Sequence, residues 1–216
     1  MNRVKQEIAT ESLLLNVAII PPDRVTDEAI ELSEKAYALG GLFELNRTTR
    51  FPHVTIFMAR FSRSEIDAVR GILATMVPTL EEQALRHCGY HVSENKYYEI
   101  SYVKTLGLER TQGMIARELR ELRYAPGNPV IEDYFGEYSG DTKESAEKWG
   151  YDLFGHQYRP HLTLTRFPAE SQIDFQASLP TSPNNLSFSL SNIGLFRADD
   201  LGAARELVAE WKLGNP

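Results

Sequence analysis

The sequence predicts a mixed fold of helices and antiparallel strands, on three observations. Short apolar runs of strand length alternate with amphipathic stretches of helical period. Two apolar runs flank Ser93-Glu-Asn-Lys96, as in a hairpin. The segments Leu186 to Phe196 and Ala204 to Leu213 form a last antiparallel pair, although the second of these also has helical character.

Taken in order, Leu13 to Ile20 is a buried strand ended by Pro21-Pro22. It follows Arg3 and Lys5, but Glu7 and Glu11 precede it and no small-residue cleavage site follows, so it does not read as a signal peptide. It is also too short to span a bilayer. Thr26 to Leu39 is a helix with Thr26 as its cap, Asp27 and Glu28 in the first turn and Gly40-Gly41 as its stop. His53 to Phe61 is a strand. Ser64 to Met76 is a helix that presents Ile66, Val69, Leu73 and Met76 on one face. After the hairpin strands Leu85 to Val92 and Tyr97 to Lys104, an amphipathic helix runs from Glu109 to Tyr124 and closes at Pro126-Gly127. Residues 126–157, rich in Gly, Tyr and Asp, read as an excursion or lid with one short helix near Thr142 to Trp149. The chain returns to strand at His161 to Phe167.

With 216 residues, 42% of them hydrophobic, the chain can bury a sizeable core as one domain or two packed lobes. Its single cysteine, Cys88, excludes a disulfide framework, suits a reducing cytoplasm and reads as a core residue. The net charge of -7 excludes a protein that coats long duplex nucleic acid through a general positive field. Charge distribution is more informative. The stretches 45–64 and 153–169 carry six arginines (Arg47, Arg50, Arg60, Arg63, Arg159, Arg166) and no carboxylate, where an even spread of the 30 acids would put about five. Both stretches contain a histidine motif.

Those motifs are Phe51-Pro-His-Val-Thr-Ile-Phe57 and Arg159-Pro-His-Leu-Thr-Leu-Thr165. They share the pattern Pro-His-apolar-Thr-apolar, which this composition yields by chance about 0.003 times per chain, so that two copies are expected on the order of 10⁻⁵ times. On a regular strand, His53, Thr55 and Phe57 share one face while Val54, Ile56 and Met58 face the core. The same parity groups His161, Thr163 and Thr165 and buries Leu162 and Leu164. In-line attack on a phosphodiester needs a base for the incoming oxygen and an acid for the departing one, and imidazole can serve as either near neutral pH. Threonine hydroxyls can donate to the non-bridging oxygens. This chemistry requires no metal or other cofactor.

The doubled motif, its spacing and the strand-helix alternation around each copy resemble the two-histidine (2H) phosphoesterase superfamily. That group includes bacterial RNA 2′,5′-ligase-like proteins, cyclic nucleotide phosphodiesterases and enzymes that trim RNA ends or 2′,5′-linked oligonucleotides. The resemblance spans Leu13 to about Leu213, and its diagnostic part is the two short motifs. It implies an α+β, bilobal fold with pseudo-twofold symmetry. Each lobe would be an antiparallel sheet with helices packed outside, one holding residues 43–61 and the other 158–167, with a central groove between them. His53 and His161 would be the acid/base pair, and Thr55 and Thr163 the phosphate ligands. Beside them, Arg50, Phe57, Tyr158, Arg159 and Thr165 are the candidate substrate-binding residues.

The implied activity is metal-independent hydrolysis of a 2′,3′-cyclic or related phosphodiester on a nucleotide or short RNA end, in a cytoplasmic monomer without a membrane partner. Ligation by the same residues and a non-catalytic nucleotide-binding module are the alternatives. On a strand His87 and His91 would share a face, but no third ligand is apparent, so these two and Cys88 do not read as a metal site. His156 reads as a surface residue. Tyr134, Tyr138, Trp149, Tyr151, Phe154 and Tyr158 read as anchors for a long loop, with base stacking as the competing use.

Overall fold

In the computed structural model, the described residues are 12–124, 139–170, 186–199 and 201–214. They build two principal antiparallel sheets. The first has the strand order β2-β1-β8-β9, from β1 (Ser12–Ile19), β2 (Val54–Ser62), β8 (Asn192–Ala198) and β9 (Ala204–Lys212). The second has the order β4-β5-β6, from β4 (His87–Val92), β5 (Tyr97–Tyr102) and β6 (His161–Arg166). A minor pair joins β3 (Ala84–Leu85) to β7 (Phe188–Ser189). Helices α1 (Asp23–Ala38), α2 (Ile66–Met76), α3 (Leu106–Leu119) and α4 (Gly140–Trp149) complete this α+β fold. Among the described residues, no helix is long and apolar enough to cross a membrane.

Helix α1 starts three residues earlier than its sequence suggested. Pro22, whose fixed φ suits helix entry, occupies the cap position, and Thr26 lies in the first turn with its hydroxyl donating to the Pro21 carbonyl at 3.2 Å. Val25, Ala29, Leu32 and Ala36 are its buried face at a spacing of three and four. Helix α3 begins at Leu106 because Thr105 is a better cap than anything nearer Glu109: its hydroxyl accepts from the Leu108 amide at 3.2 Å. The hairpin forms as expected, with Lys96 in the left-handed region at φ 64° in the turn. Cys88, expected in the core, is exposed. The register of β4 against β5 shifts between His87 and Gly89, and Cys88 is the extra residue turned out of the ladder. His87 then packs against Tyr90 and Tyr102 instead of sharing a face with His91.

Similar irregularities govern both motif strands. Thr55 pairs with Ala18 but Phe57 with Val17, which leaves Ile56 as the extra residue of a bulge. In β6, Thr163 pairs with Glu99 but Thr165 with Tyr98, which leaves Leu164 in the same role. Each extra residue lies three positions after the motif histidine. A buried side chain from a helix serves each bulge carbonyl: Gln112 of α3 donates to Ile56 at 3.0 Å, and Ser33 of α1 donates to Leu164 at 2.6 Å.

Because a bulge inverts the strand's alternation, the expected faces are wrong beyond it. Phe57 does not face a cleft; it is fully buried and meets the Tyr151 ring edge-on at 6.2 Å. Thr165 is fully buried as well, and its hydroxyl donates to the Phe43 carbonyl at 2.6 Å. Met58 is buried in the core as expected and also reaches a cavity wall.

Candidate active site

The sequence places a proline immediately before each histidine, and the structure shows one consequence. His53 Nδ1 donates to the Phe51 carbonyl at 2.8 Å, and His161 Nδ1 donates to the Arg159 carbonyl at 2.6 Å. The proline contributes no N–H and fixes its own φ, so the carbonyl two residues back is held beside the ring. In both cases the proton on Nδ1 leaves Nε2 as the working nitrogen.

His53, Thr55, His161 and Thr163 all line one cavity of about 450 Å³. Sheet one supplies the first pair and sheet two the second. Apolar side chains including Phe43, Leu45, Phe51, Met58 and Leu153 form part of its wall, and Arg50 and Arg159 lie on it.

The two histidines have different surroundings. Asn16, fully buried on β1, donates from Nδ2 to His53 Nε2 at 3.1 Å and to Thr55 Oγ1 at 2.9 Å. Accepting from Asn16 leaves the Thr55 proton to be donated into the cavity. Phe196 lies 6.2 Å from the His53 ring. Burial, with a smaller contribution from the nearby His161, lowers the His53 pKa to about 4, against the Phe51 carbonyl and Asp199, which raise it. His161 instead faces a carboxylate. Its Nε2 is 3.7 Å from Glu99 Oε1, and Glu99 is only 2% exposed.

Arg159 does line the cavity, but its guanidinium is held by Glu99, with Nη1 donating to Oε2 at 2.7 Å. Arg50 stacks over the Phe43 ring at 4.8 Å and lies 3.9 Å from an Asp199 oxygen. Arg47 is turned away to Asp23 and Asp27 on α1. Tyr158 is not on the wall. It is 3% exposed, and its hydroxyl donates to the Thr55 carbonyl at 3.2 Å, so it positions the motif strand instead of meeting a substrate. Phe57 and Thr165 are likewise absent from the wall.

The carboxylate-free surroundings expected from the two basic stretches do not hold in space. Glu94, Glu99 and Asp152 line the cavity, brought there from segments outside those stretches. Burial pushes the Asp152 carboxyl up, against its own and the Leu153 amides and the charges of His161 and Arg159. Asn16 and Glu99 were missed although each left a signal. Asn16 interrupts the apolar run Leu13 to Ile20, and Glu99 sits inside the largely buried strand Tyr97–Tyr102. A buried polar residue in such a run needs a partner, and the site provides it.

Of the excursion, Tyr134 and Tyr138 lie outside the described residues. Trp149 and Phe154 stack on each other at 4.1 Å, and Arg120 lies over the Trp149 ring. Gln112 also donates to the Leu153 carbonyl at 2.8 Å and accepts from the Gly155 amide, which ties this segment to the motif-one bulge. His156 is exposed, 3.1 Å from Asp141. Among the described residues, no group of three His, Cys, Asp or Glu side chains could hold a metal ion.

No family model and no curated protein matches the chain by sequence. Solved structures do match. The chain is similar to Escherichia coli LigT complexed with phosphate, at 14% identity and a TM-score of 0.56 over 95% of this chain and 99% of that one. LigT has also been solved with 3′-AMP, ATP and NADP+. A phosphoesterase matches at 14% identity and a TM-score of 0.59, over 95% of this chain and 100% of that one. TT0787 of Thermus thermophilus matches at 17% identity and 0.54, over 94% and 100%. The chain thus has, over nearly its whole length, the α+β fold of LigT and TT0787.

Proposed function

We propose that this protein is a metal-independent phosphodiesterase, built as one bilobal domain, that acts on a 2′,3′-cyclic or related phosphodiester of a nucleotide or short RNA end. The observation that carries the reading is that both histidines and both threonines of the paired motifs line one cavity, from two different sheets. The LigT complexes with phosphate and 3′-AMP support a nucleotide-sized ligand.

The asymmetry of the site divides the labour. His53 carries its proton on Nδ1 and, with a pKa near 4, is neutral at pH 7, so Nε2, on exchanging its hydrogen bond from Asn16 for the attacking water, can take that water's proton. His161, beside Glu99, is the acid that protonates the departing ester oxygen. Thr55 and Thr163 donate to the non-bridging oxygens, where charge accumulates in the transition state. The apolar wall and Arg50 hold the nucleoside and its phosphate. The protein works as a cytoplasmic monomer on small or single-ended substrates.

Incubation with cyclic phosphates, linear 2′,5′ and 3′,5′ dinucleotides and a 5′-hydroxyl acceptor in excess chelator tests this reading through product masses. Full hydrolytic activity after chelation is the expected result. Strict dependence on added Mg²⁺ or Mn²⁺ would refute metal independence, and joined products would assign ligation instead.

The pH profile provides a second check. A histidine of ordinary pKa, 6.5, would lose its base function below neutral pH, but His53 should hold it down to about pH 4. The acid limb of kcat/KM is therefore expected well below pH 6, and a limb centred near 6.5 would count against His53 as the base. The same shift bears on stability. The unfolded chain takes up this proton first, so the fold loses stability as pH drops from about 6.5 to about 4 and is unaffected by this group above that window.

A further inference from the structure

Glu99 is an unexpected neighbour for a phosphate site. Its side chain is almost fully buried and lines the cavity; Oε2 accepts from Arg159 Nη1 at 2.7 Å, and Oε1 accepts from Nη2 at 3.4 Å and lies 3.7 Å from His161 Nε2. On the reading above, a phosphoryl or ester oxygen must come within about 3 Å of that nitrogen. It then lies no more than roughly 6.7 Å from an oxygen of a carboxylate that is itself almost fully buried, where charge is screened less than in bulk water. Arg159 is already engaged by the same carboxylate.

We propose that Glu99 makes the site selective for the singly charged phosphodiester over the doubly charged phosphomonoester. The inference rests on the phosphodiesterase reading and extends it to the charge state of the ligand. A diester carries a charge of -1, whereas a terminal monoester carries about -1.5 to -2 at pH 7. Both meet His53, His161, Thr55 and Thr163, but the second charge of the monoester meets the Glu99 carboxylate. Like charges placed together in this way discriminate by repulsion. Hydrolysis adds water across one P–O bond and leaves a monoester that loses its second proton. The carboxylate therefore disfavours the product and promotes its departure. Glu94 and Asp152 are also on the wall, and burial pushes the Asp152 carboxyl up.

The test is equilibrium binding of 3′-AMP and of its methyl phosphodiester to the full chain at pH 7.5, with two ligands that differ only in charge and one methyl group. Wild type is expected to bind the diester about tenfold more tightly than the monoester, and Glu99→Gln to lose or reverse that preference. Glu99→Asp, which keeps the charge and withdraws it by one methylene, should retain part of it. A wild-type protein that prefers the monoester overturns the proposal without any variant. So does an unchanged ratio in a Glu99→Gln protein that melts cooperatively. If neither ligand binds wild type, the phosphodiesterase reading itself fails, and that outcome is distinct from binding without discrimination.

Discussion

Replacing either His53 or His161 with Ala is expected to lower turnover by roughly 10² to 10⁴, the range for loss of one general acid or base. Because the pair serves one phosphorus, removing both should cost far less than the product of the two single losses. Initial rates for the two single variants and the double variant, on one diester substrate, provide the measurement. Multiplicative losses would mean that the two rings act independently, and the shared cavity would then not be a shared active site. Thr55→Val and Thr163→Val should cost less, about 10 to 10³, since each removes one hydrogen bond to a phosphoryl oxygen.

These two threonine variants should differ in stability. Thr55 accepts from the fully buried Asn16, whose Oδ1 has no partner among the described residues, so Thr55→Val leaves that amide with one fewer bond and costs about 1 to 3 kcal/mol. Among the described residues Thr163 has no such dependent, and its variant should melt close to wild type.

The second large effect concerns folding. Phe57→Ala is expected to destabilise the protein by about 3 to 5 kcal/mol, the cost of emptying a fully buried aromatic site, while leaving KM nearly unchanged in the protein that remains folded. Met58→Ala should do the opposite in kind. It lies on the cavity wall, so a rise in KM should accompany a smaller loss of stability. Denaturant unfolding and steady-state kinetics on both variants decide between the two parities. On an unbroken strand the effects would be exchanged, with Phe57→Ala weakening substrate binding and Met58→Ala emptying the core.

That exchange marks the boundary of what a strand pattern can convey. Period-two reasoning placed Val54, Ile56, Leu162 and Leu164 inside correctly, and it put His53, Thr55, His161 and Thr163 on the cavity side. It failed at Phe57 and Thr165 for a single reason, the bulges at Ile56 and Leu164. A bulge is decided by what can receive its unpaired carbonyl. Gln112 and Ser33, which do so, are 56 and 131 residues away in the chain. No local window contains both partners.

By itself, the sequence determined the order of strands and helices, the hairpin at Ser93 to Lys96, and the two Pro-His-apolar-Thr-apolar motifs, because periodicity, turn residues and motif spacing are local properties. Tertiary structure alone decided the electrostatics of the site. Counted along the chain, the motifs lie in stretches free of carboxylates; in space, β5 brings Glu99 against His161 and Arg159, and β1 brings Asn16 against His53. Charge interactions depend on distance through the fold and on burial, and neither is a function of separation in sequence.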